Sequence, residues 1–470
     1  MEPPLFSRVA LDAHKRGTVR YIGPVPSDPQ GRTWIGVEWD CDYAGMHNGQ
    51  GLFTCRGVQR GSFVKPAKLE RAVDFATAVA ERYEARDEDN VPELVVASRQ
   101  LHRVESLAVI SLVQSRCGLA GDARMLRCLC VQALDLSHTL ITLREACAIA
   151  RALPMLTEFN LADNRLAASG EPLEPEAIRG FESLHSLVLD GTEMPADTLA
   201  AVLTTCTSLQ VLHLSRNQLD NLHVFQNGPT GLRELYVAHN ALNDLAAVLS
   251  NLAHMDNLAR LVLLGNPLHR ALGALPVNAH VQSLVLSETS LADWAAVDAL
   301  ALALPDLVEL KIMSVPLFAA MEDSKSRMGV VARLPGLRWL NGSEISPTER
   351  TDAERFILKS DLTLCAERRA HLVALHGEPV ATPVAAQAPV TFAVEFAARG
   401  KPAVTRPVKA SVPVRSLAVV AKRLFNAPVK ATCEFRLGSG GRRMDDDELD
   451  CRLDQMLQLG GEPLHVTVFL

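Results

Sequence analysis

The sequence predicts a multidomain protein: a small all-β module, a long α/β repeat solenoid and a terminal α+β domain. Three observations predict it. The centre of the chain repeats L-x-x-L-x-L-x-x-N-x-L at intervals of 23 to 28 residues. The first 70 residues are short apolar runs broken by glycine and proline. The last stretch carries strand and helix signals in the order β–β–α–β–β.

The repeat is the strongest of the three. Leu156, Phe159, Leu161, Asn164 and Leu166 make one copy, and Leu209, Leu212, Leu214, Asn217 and Leu219 make another. Further copies place Asn240 and Asn266 at the same offset, with Ser115, Thr139, Thr192, Thr289 and Val315 in weaker ones. This period and spacing are the leucine-rich-repeat signature. Each unit is a short strand plus a returning helical or 3₁₀ segment, and its leucines are buried only against neighbouring units. The asparagine bonds to backbone where the chain leaves the strand and water cannot help. A helical array would need a period of 3.6 residues and would not fix Asn relative to L-x-L.

Composition narrows the function. The chain has 470 residues, 48% of them hydrophobic, enough for two to four cores. A net charge of −7 and no long basic run argue against nucleic acid. No apolar stretch reaches membrane-spanning length, and Met1-Glu2-Pro3-Pro4 does not start a signal peptide. Ten scattered cysteines without a CxxC pair read as reduced thiols of a cytosolic protein, with no zinc site.

In the first module, strands are expected at residues 18–22, 34–39, 51–55 and 62–64. Its motifs are Gly36-Val37-Glu38-Trp39-Asp40, Gly45-Met46-His47-Asn48-Gly49 and Gly61-Ser62-Phe63-Val64-Lys65-Pro66. In order and spacing they resemble the CAP-Gly domain. That resemblance implies a barrel that binds the acidic C-terminal tail of α-tubulin, or similar peptides ending in an aromatic residue. Glycines let backbone approach the peptide and aromatic side chains wall a groove. The resemblance picks out Trp39, Gly45, His47, Asn48, Gly49, Phe53, Phe63 and Lys65 as tail-binding positions. Met46 and Asn48 stand where that family's loop has lysine and aspartate, so weaker tail binding is expected. A tight turn in a barrel without a ligand is the alternative.

Residues 71–106 read as a connector: a helix over 72–83 with Val73, Ala76, Ala80 and Tyr83 on one face, then the acidic stretch 86–90. The solenoid and its cap occupy 107–370. The residue between the paired leucines of each repeat points to the concave face. That stripe reads Ser111, Asp135, Asn160, Val188, His213, Tyr236, Val262, Val285 and Lys311. Asn160, His213, Tyr236 and Lys311 are its candidate protein-binding residues. No nucleophile, paired carboxylate or metal set accompanies His213 and Tyr236, so binding rather than catalysis is expected. Ser346-Pro347-Thr348-Glu349 is a capping box opening a terminal helix, with Ala353, Phe356 and Ile357 on its apolar face.

Residues 371–388 are proline- and alanine-rich and read as a flexible linker. Beyond them, strands at 390–396, 432–437 and 465–470 and a helix from Ser416 bearing Leu417, Val420, Ala421 and Leu424 resemble a ubiquitin-like (β-grasp) domain over 389–470. Gly460-Gly461 precedes the final strand, so it is a turn and this is a docking module.

The segment L-N-G-S-E-I-S-P-T-E-R at 340–350 is very similar to the tubulin-folding cofactor E family, as is the order CAP-Gly, leucine-rich repeats, ubiquitin-like domain. The resemblance implies a non-enzymatic, cytoplasmic, cytoskeleton-associated chaperone without cofactor or metal. It would bind α-tubulin and, with the partner cofactors B, C and D, assemble or dissociate α/β-tubulin heterodimers. The ubiquitin-like domain would meet a partner cofactor or the proteasome and ubiquitin machinery. A microtubule-associated scaffold without chaperone activity is the rival reading.

Overall fold

The computed structural model of the chain describes residues 3–12, 15–83, 108–122, 130–167, 175–269, 277, 280–319, 321–360, 364–378, 391–398, 401–409, 412, 414–425, 432–437 and 464–469. The chain forms two compact units, Met1–Pro379 and Val380–Leu470.

The first unit opens with an antiparallel sheet of β1 (Arg8–Asp12), β2 (Lys15–Pro24), β3 (Thr33–Trp39), β4 (Gly61–Val64) and β5 (Glu70–Arg71), in the order β4-β3-β2-β1-β5. Side chains alternate along a strand. Ile35, Val37 and Trp39 therefore pack inward with Val9, Val19 and Val64. Residues 51–55 are not the expected strand. Positive φ at Gly49, Gln50 and Gly51 turns the chain back, which lays Phe53 over Gly36.

The connector helix starts later than expected. Val73–Asp74 (β6) pairs in parallel with Cys117–Leu119 (β8), and α1 runs Phe75–Tyr83. The Asp74 carboxylate accepts the Thr77 N–H at 2.9 Å and the Thr77 hydroxyl at 2.9 Å, an N-terminal cap that sets where the helix begins. The buried face of the helix is Phe75, Ala78 and Val79, not Ala76, Ala80 and Tyr83, and it joins the main core, against which Val73 of β6 also packs. This helix thus closes the first end of the repeats. Residues 86–90 lie outside the described residues.

The repeats stack one strand each: β7 (Val109–Ser111), β9 (Ala133–Asp135), β10 (Glu158–Asn160), β11 (Ser186–Val188), β12 (Val211–His213), β13 (Glu234–Tyr236), β14 (Arg260–Val262), β15 (Ser283–Val285) and β16 (Glu309–Lys311). All are parallel and in register, so Leu134, Phe159, Leu187, Leu212, Leu235, Leu261, Leu284 and Leu310 form one buried row. The ladder continues through β17 (Trp339–Leu340) and β18 (Ser343–Glu344) into an 11-stranded sheet. Return segments include helices α2 (Leu143–Ala152), α3 (Ala196–Thr205), α4 (Leu245–Leu252) and α5 (Trp294–Ala303) and 3₁₀ turns at Pro175–Ile178 and His223–Phe225.

The asparagines act as the repeat chemistry requires. The Asn240 amide donates to the carbonyls of Leu214 and Val237 (both 3.0 Å), and its oxygen accepts the N–H groups of Asn217 (2.9 Å) and Leu219 (3.1 Å). Asn164, Asn217 and Asn266 likewise bond to backbone of the preceding unit. Thr139, Thr192 and Thr289 instead donate to the carbonyl three residues back, at 2.7 to 3.0 Å.

The last strands are closed by α6 (Asp323–Arg333), α7 (Pro347–Lys359) and α8 (Ala366–His376). The Ser346 hydroxyl accepts the Glu349 N–H at 3.1 Å, while the Glu349 carboxylate pairs with Arg327. Ala353 and Ile357 are buried and Phe356 is half-buried. Helix α8 extends past residue 370, where the sequence suggested a linker. It belongs to the cap because Leu372 is buried and because Arg368 (3.0 Å) and His376 (2.7 Å) clamp the buried Glu354 carboxylate of α7. No described helix is long and apolar enough to cross a membrane.

In the second unit, β19 (Thr391–Ala398), β20 (Lys401–Lys409), β21 (Thr432–Leu437) and β22 (Leu464–Phe469) form a sheet ordered β20-β19-β22-β21, with β19 and β22 parallel at its centre. Helix α9 (Leu417–Leu424) buries Leu417 and Ala421 against Val394, Phe396 and Phe435. Val420, expected on that face, is exposed because the inner line runs Leu417, Ala421, Phe425. Gly460-Gly461 falls outside the described residues.

Candidate functional site

The glycine-rich loop of the first module is held by backbone pairing. The N–H groups of Met46 (2.8 Å) and His47 (3.1 Å) donate to the Gly61 carbonyl, and the Gly61 N–H donates back to that of His47 (2.7 Å). The Gly45 N–H donates to the Gln59 carbonyl at 2.7 Å. Two glycines have no substitute here. A Cβ on Gly45 would meet Gly61 backbone at 2.5 Å, and one on Gly49, at φ +98°, would sit 1.7 Å from the Phe53 carbonyl oxygen.

This backbone gathers an aromatic cluster. The His47 ring lies 4.7 Å from Phe63 and 6.1 Å from Phe53, and Phe53 and Phe63 meet edge to face at 5.8 Å. All three are half-buried. The His47 Nδ1 accepts the Gly49 N–H at 3.0 Å, so the neutral imidazole is the form that fits, and burial lowers its pKa. The Asn48 oxygen accepts the Gln59 N–H at 2.6 Å. Lys65 is exposed, with its Nζ 5.9 Å from the Trp34 ring.

Seven of the eight residues expected here therefore surround one surface, and Trp39 does not. It is 1% exposed, packs in the core and donates its indole N–H to the Ser62 hydroxyl at 3.0 Å. Period-2 alternation on β3 sends Trp39 inward with Ile35 and Val37 and leaves Trp34 and Gly36 on the groove side. Trp34 and Tyr21, whose ring is 6.2 Å from Phe63, are the aromatic residues sequence reading missed; strand parity was the available signal. Met46 is 85% exposed, an apolar side chain at the mouth of the groove.

On the repeats, register aligns Asp135, Asn160, Val188, His213, Tyr236, Val262, Val285 and Lys311 across eight strands. His213 and Tyr236 stack with ring centroids 4.1 Å apart and planes 4° apart. The Tyr236 hydroxyl donates to Glu234 at 2.6 Å. Burial lowers the His213 pKa against the opposing pull of Asp190 and Glu234. Asn160 is two strands from His213, and Lys311 is three from Tyr236, about 14 Å at ordinary strand spacing. Val262 and Val285 are nearly buried with Ala238, beside Tyr236 and Leu264. The surface offers ring faces and scattered charges, which suits binding. Among the described residues no group of three His, Cys, Asp or Glu could hold a metal ion.

The family model of the CAP-Gly domain matches residues 6–69. Along its length the chain is 29% identical over 378 residues to the tubulin-specific chaperone E of Danio rerio, covering 74% of this chain and 70% of that one. It is 27% identical over 406 residues to the tubulin-folding cofactor E of Arabidopsis thaliana, covering 78% and 74%, and 27% identical over 374 residues to the Homo sapiens chaperone E, covering 72% and 69%. Over about three quarters of its length the chain is similar to tubulin-specific chaperone E. The N-terminal sheet is a CAP-Gly domain, and its glycine loop and aromatic cluster lie inside the matched residues.

Proposed function

We propose that the protein is a tubulin-folding chaperone that binds α-tubulin and, with partner cofactors, assembles or takes apart α/β-tubulin heterodimers. The observation that carries this reading is similarity, over about three quarters of the chain, to relatives named tubulin-specific chaperone E and tubulin-folding cofactor E. The groove of His47, Phe53 and Phe63, with Gly45, Gly49, Asn48 and Lys65 around it, would take the aromatic end of an acidic tubulin tail. The parallel ladder reads as a leucine-rich-repeat solenoid, supported by its period and its asparagine bonds. Its face at Asn160, His213, Tyr236 and Lys311 would grip the folded body of tubulin. The second unit reads as a ubiquitin-like domain, supported by the strand order β20-β19-β22-β21 and a helix packed on the sheet. It would dock a partner cofactor or the degradation machinery.

Work is done in this reading by binding energy, without covalent chemistry. A weak tail contact joined to a body contact gains affinity through effective concentration. The test is size-exclusion chromatography with light scattering on the full chain mixed with native tubulin heterodimer. Co-elution of α-tubulin with this chain, alone or with cofactors B, C and D, supports the proposal. Intact, unbound heterodimer under all those conditions refutes it. Co-sedimentation with polymer in that case favours a microtubule-associated scaffold.

A further inference from the structure

The outer face of β3 continues beyond the aromatic groove into a cleft between the CAP-Gly domain and the third and fourth described repeats. Segment 53–56 forms one wall throughout. Phe53 lies over Gly36 at one end, and the Arg56 N–H donates to the Glu38 carboxylate (2.5 Å) at the other. From Trp34 to Glu38 is four residues of strand, about 13 Å, the reach of about four extended peptide residues.

Charge pairing in the cleft is nearly complete. Arg8 holds Asp40 bidentately (2.6 and 2.5 Å), and Arg20 holds Glu38 (2.7 Å). Arg60 bridges Asp42 (2.7 Å) and Glu193 (3.6 Å). Arg165 of the repeats pairs with Glu193 and donates to the Asp40 carbonyl, which joins the two modules. In the cleft lining itself, four guanidinium groups (Arg20, Arg56, Arg60 and Arg165) thus meet three carboxylates (Glu38, Asp40 and Glu193). Arg56 is the one whose side chain has no partner among the described residues, and it is exposed at the cleft.

We infer that the groove and the cleft form one composite site, in which Arg56, backed by Arg165 of the repeats, receives an acidic side chain about three or four residues upstream of the peptide's aromatic end. The cation absent at Met46 is supplied from the other end of the groove. The ligand class is an extended acidic peptide with a C-terminal aromatic residue, longer than the groove alone would read. The inference rests on the aromatic groove being a tail-binding site.

The test is fluorescence polarisation with the full chain and two labelled peptides, each with a free C-terminus. The short one is the tripeptide Glu-Glu-Tyr; the long one is an octapeptide, a run of glutamates ending in tyrosine. The Arg56→Glu variant keeps the backbone bond to Glu38 and alters an exposed side chain, so the fold is retained. Arg56→Glu should weaken the octapeptide about fivefold or more and leave the tripeptide within error, the scale of a partly exposed ion pair. In about 1 M salt, where screening acts within about 3 Å, the difference should vanish. Arg56→Ala should show a smaller loss in the same direction. If wild type binds both peptides and Arg56→Glu changes neither, or both equally, the composite site is wrong while the groove stands. If wild type binds neither, the groove reading itself fails and the composite site with it.

Discussion

Asn240→Ala is the sharpest probe of how the ladder holds its shape. Asn240 is 7% exposed and its side chain bonds five backbone groups, of which the Ala238 carbonyl (3.3 Å) also takes the Arg216 N–H at 2.9 Å. The Val237 carbonyl keeps a second donor, the Asn266 amide at 2.9 Å. The Leu214 carbonyl and the N–H groups of Asn217 and Leu219 are left with no partner of their own. A buried polar group without a partner costs about 1–3 kcal/mol. With partial relaxation, the total should be about 3 kcal/mol. Hydrogen exchange on the full chain reads this directly: protection of the Asn217 and Leu219 amides should fall about a hundredfold, since every 1.4 kcal/mol is tenfold. A urea titration should show the ladder melting earlier. Asn257→Ala is the control, because Asn257 is exposed and makes one bond to the Thr230 carbonyl; it should cost under about 0.5 kcal/mol. Unchanged protection at both amides in Asn240→Ala, or an equal loss in Asn257→Ala, would refute the account of the asparagine as an internal backbone partner.

Further expectations concern the CAP-Gly domain. Trp39→Ala should destabilise it by about 3–5 kcal/mol in a thermal melt, as a core truncation does, whereas Phe63→Ala should spare the fold and abolish binding of an acidic, tyrosine-ended peptide. Met46→Lys should tighten that peptide up to about fivefold at low salt, measured by fluorescence polarisation, because it places a cation at an exposed loop position. The His47 pKa lies below its ordinary value because burial disfavours the imidazolium. A depressed histidine contributes stability that is complete above its unfolded value of about 6.5 and is lost as pH falls through the folded value. Peptide affinity should therefore decline as pH falls below about 6.5 and through the lowered folded value, as protonated Nδ1 ceases to accept the Gly49 N–H. An NMR titration placing the His47 midpoint above 6.5 would contradict this.

How much was legible depended on the kind of signal. The repeat was legible because a fixed offset between leucines and asparagine survives substitution; Thr139 and Thr192 still make the turn bond. The motif carried the residues around the glycine loop and its aromatic cluster, but not the place of Trp39, because spacing along the chain said nothing about which side of β3 a residue faces. The connector's buried face was misread by one register because Asp74, as a cap, decides where the helix starts. Helix α8 was hidden because its anchor, the Glu354 carboxylate, comes from another helix, and the sequence around it looks merely polar.

What the sequence determined by itself is local and periodic: a strand every 23 to 28 residues, glycines where backbones touch, and a serine that starts the cap helix. These follow from hydrogen-bonding and steric rules acting within a few residues. Only the tertiary structure decided what distant segments share. It brought Arg165 to Asp40 across more than a hundred residues, stacked His213 on Tyr236, and laid Phe53 over Gly36. Those contacts depend on strand register and module docking, which are set by burying the whole core at once and have no local code.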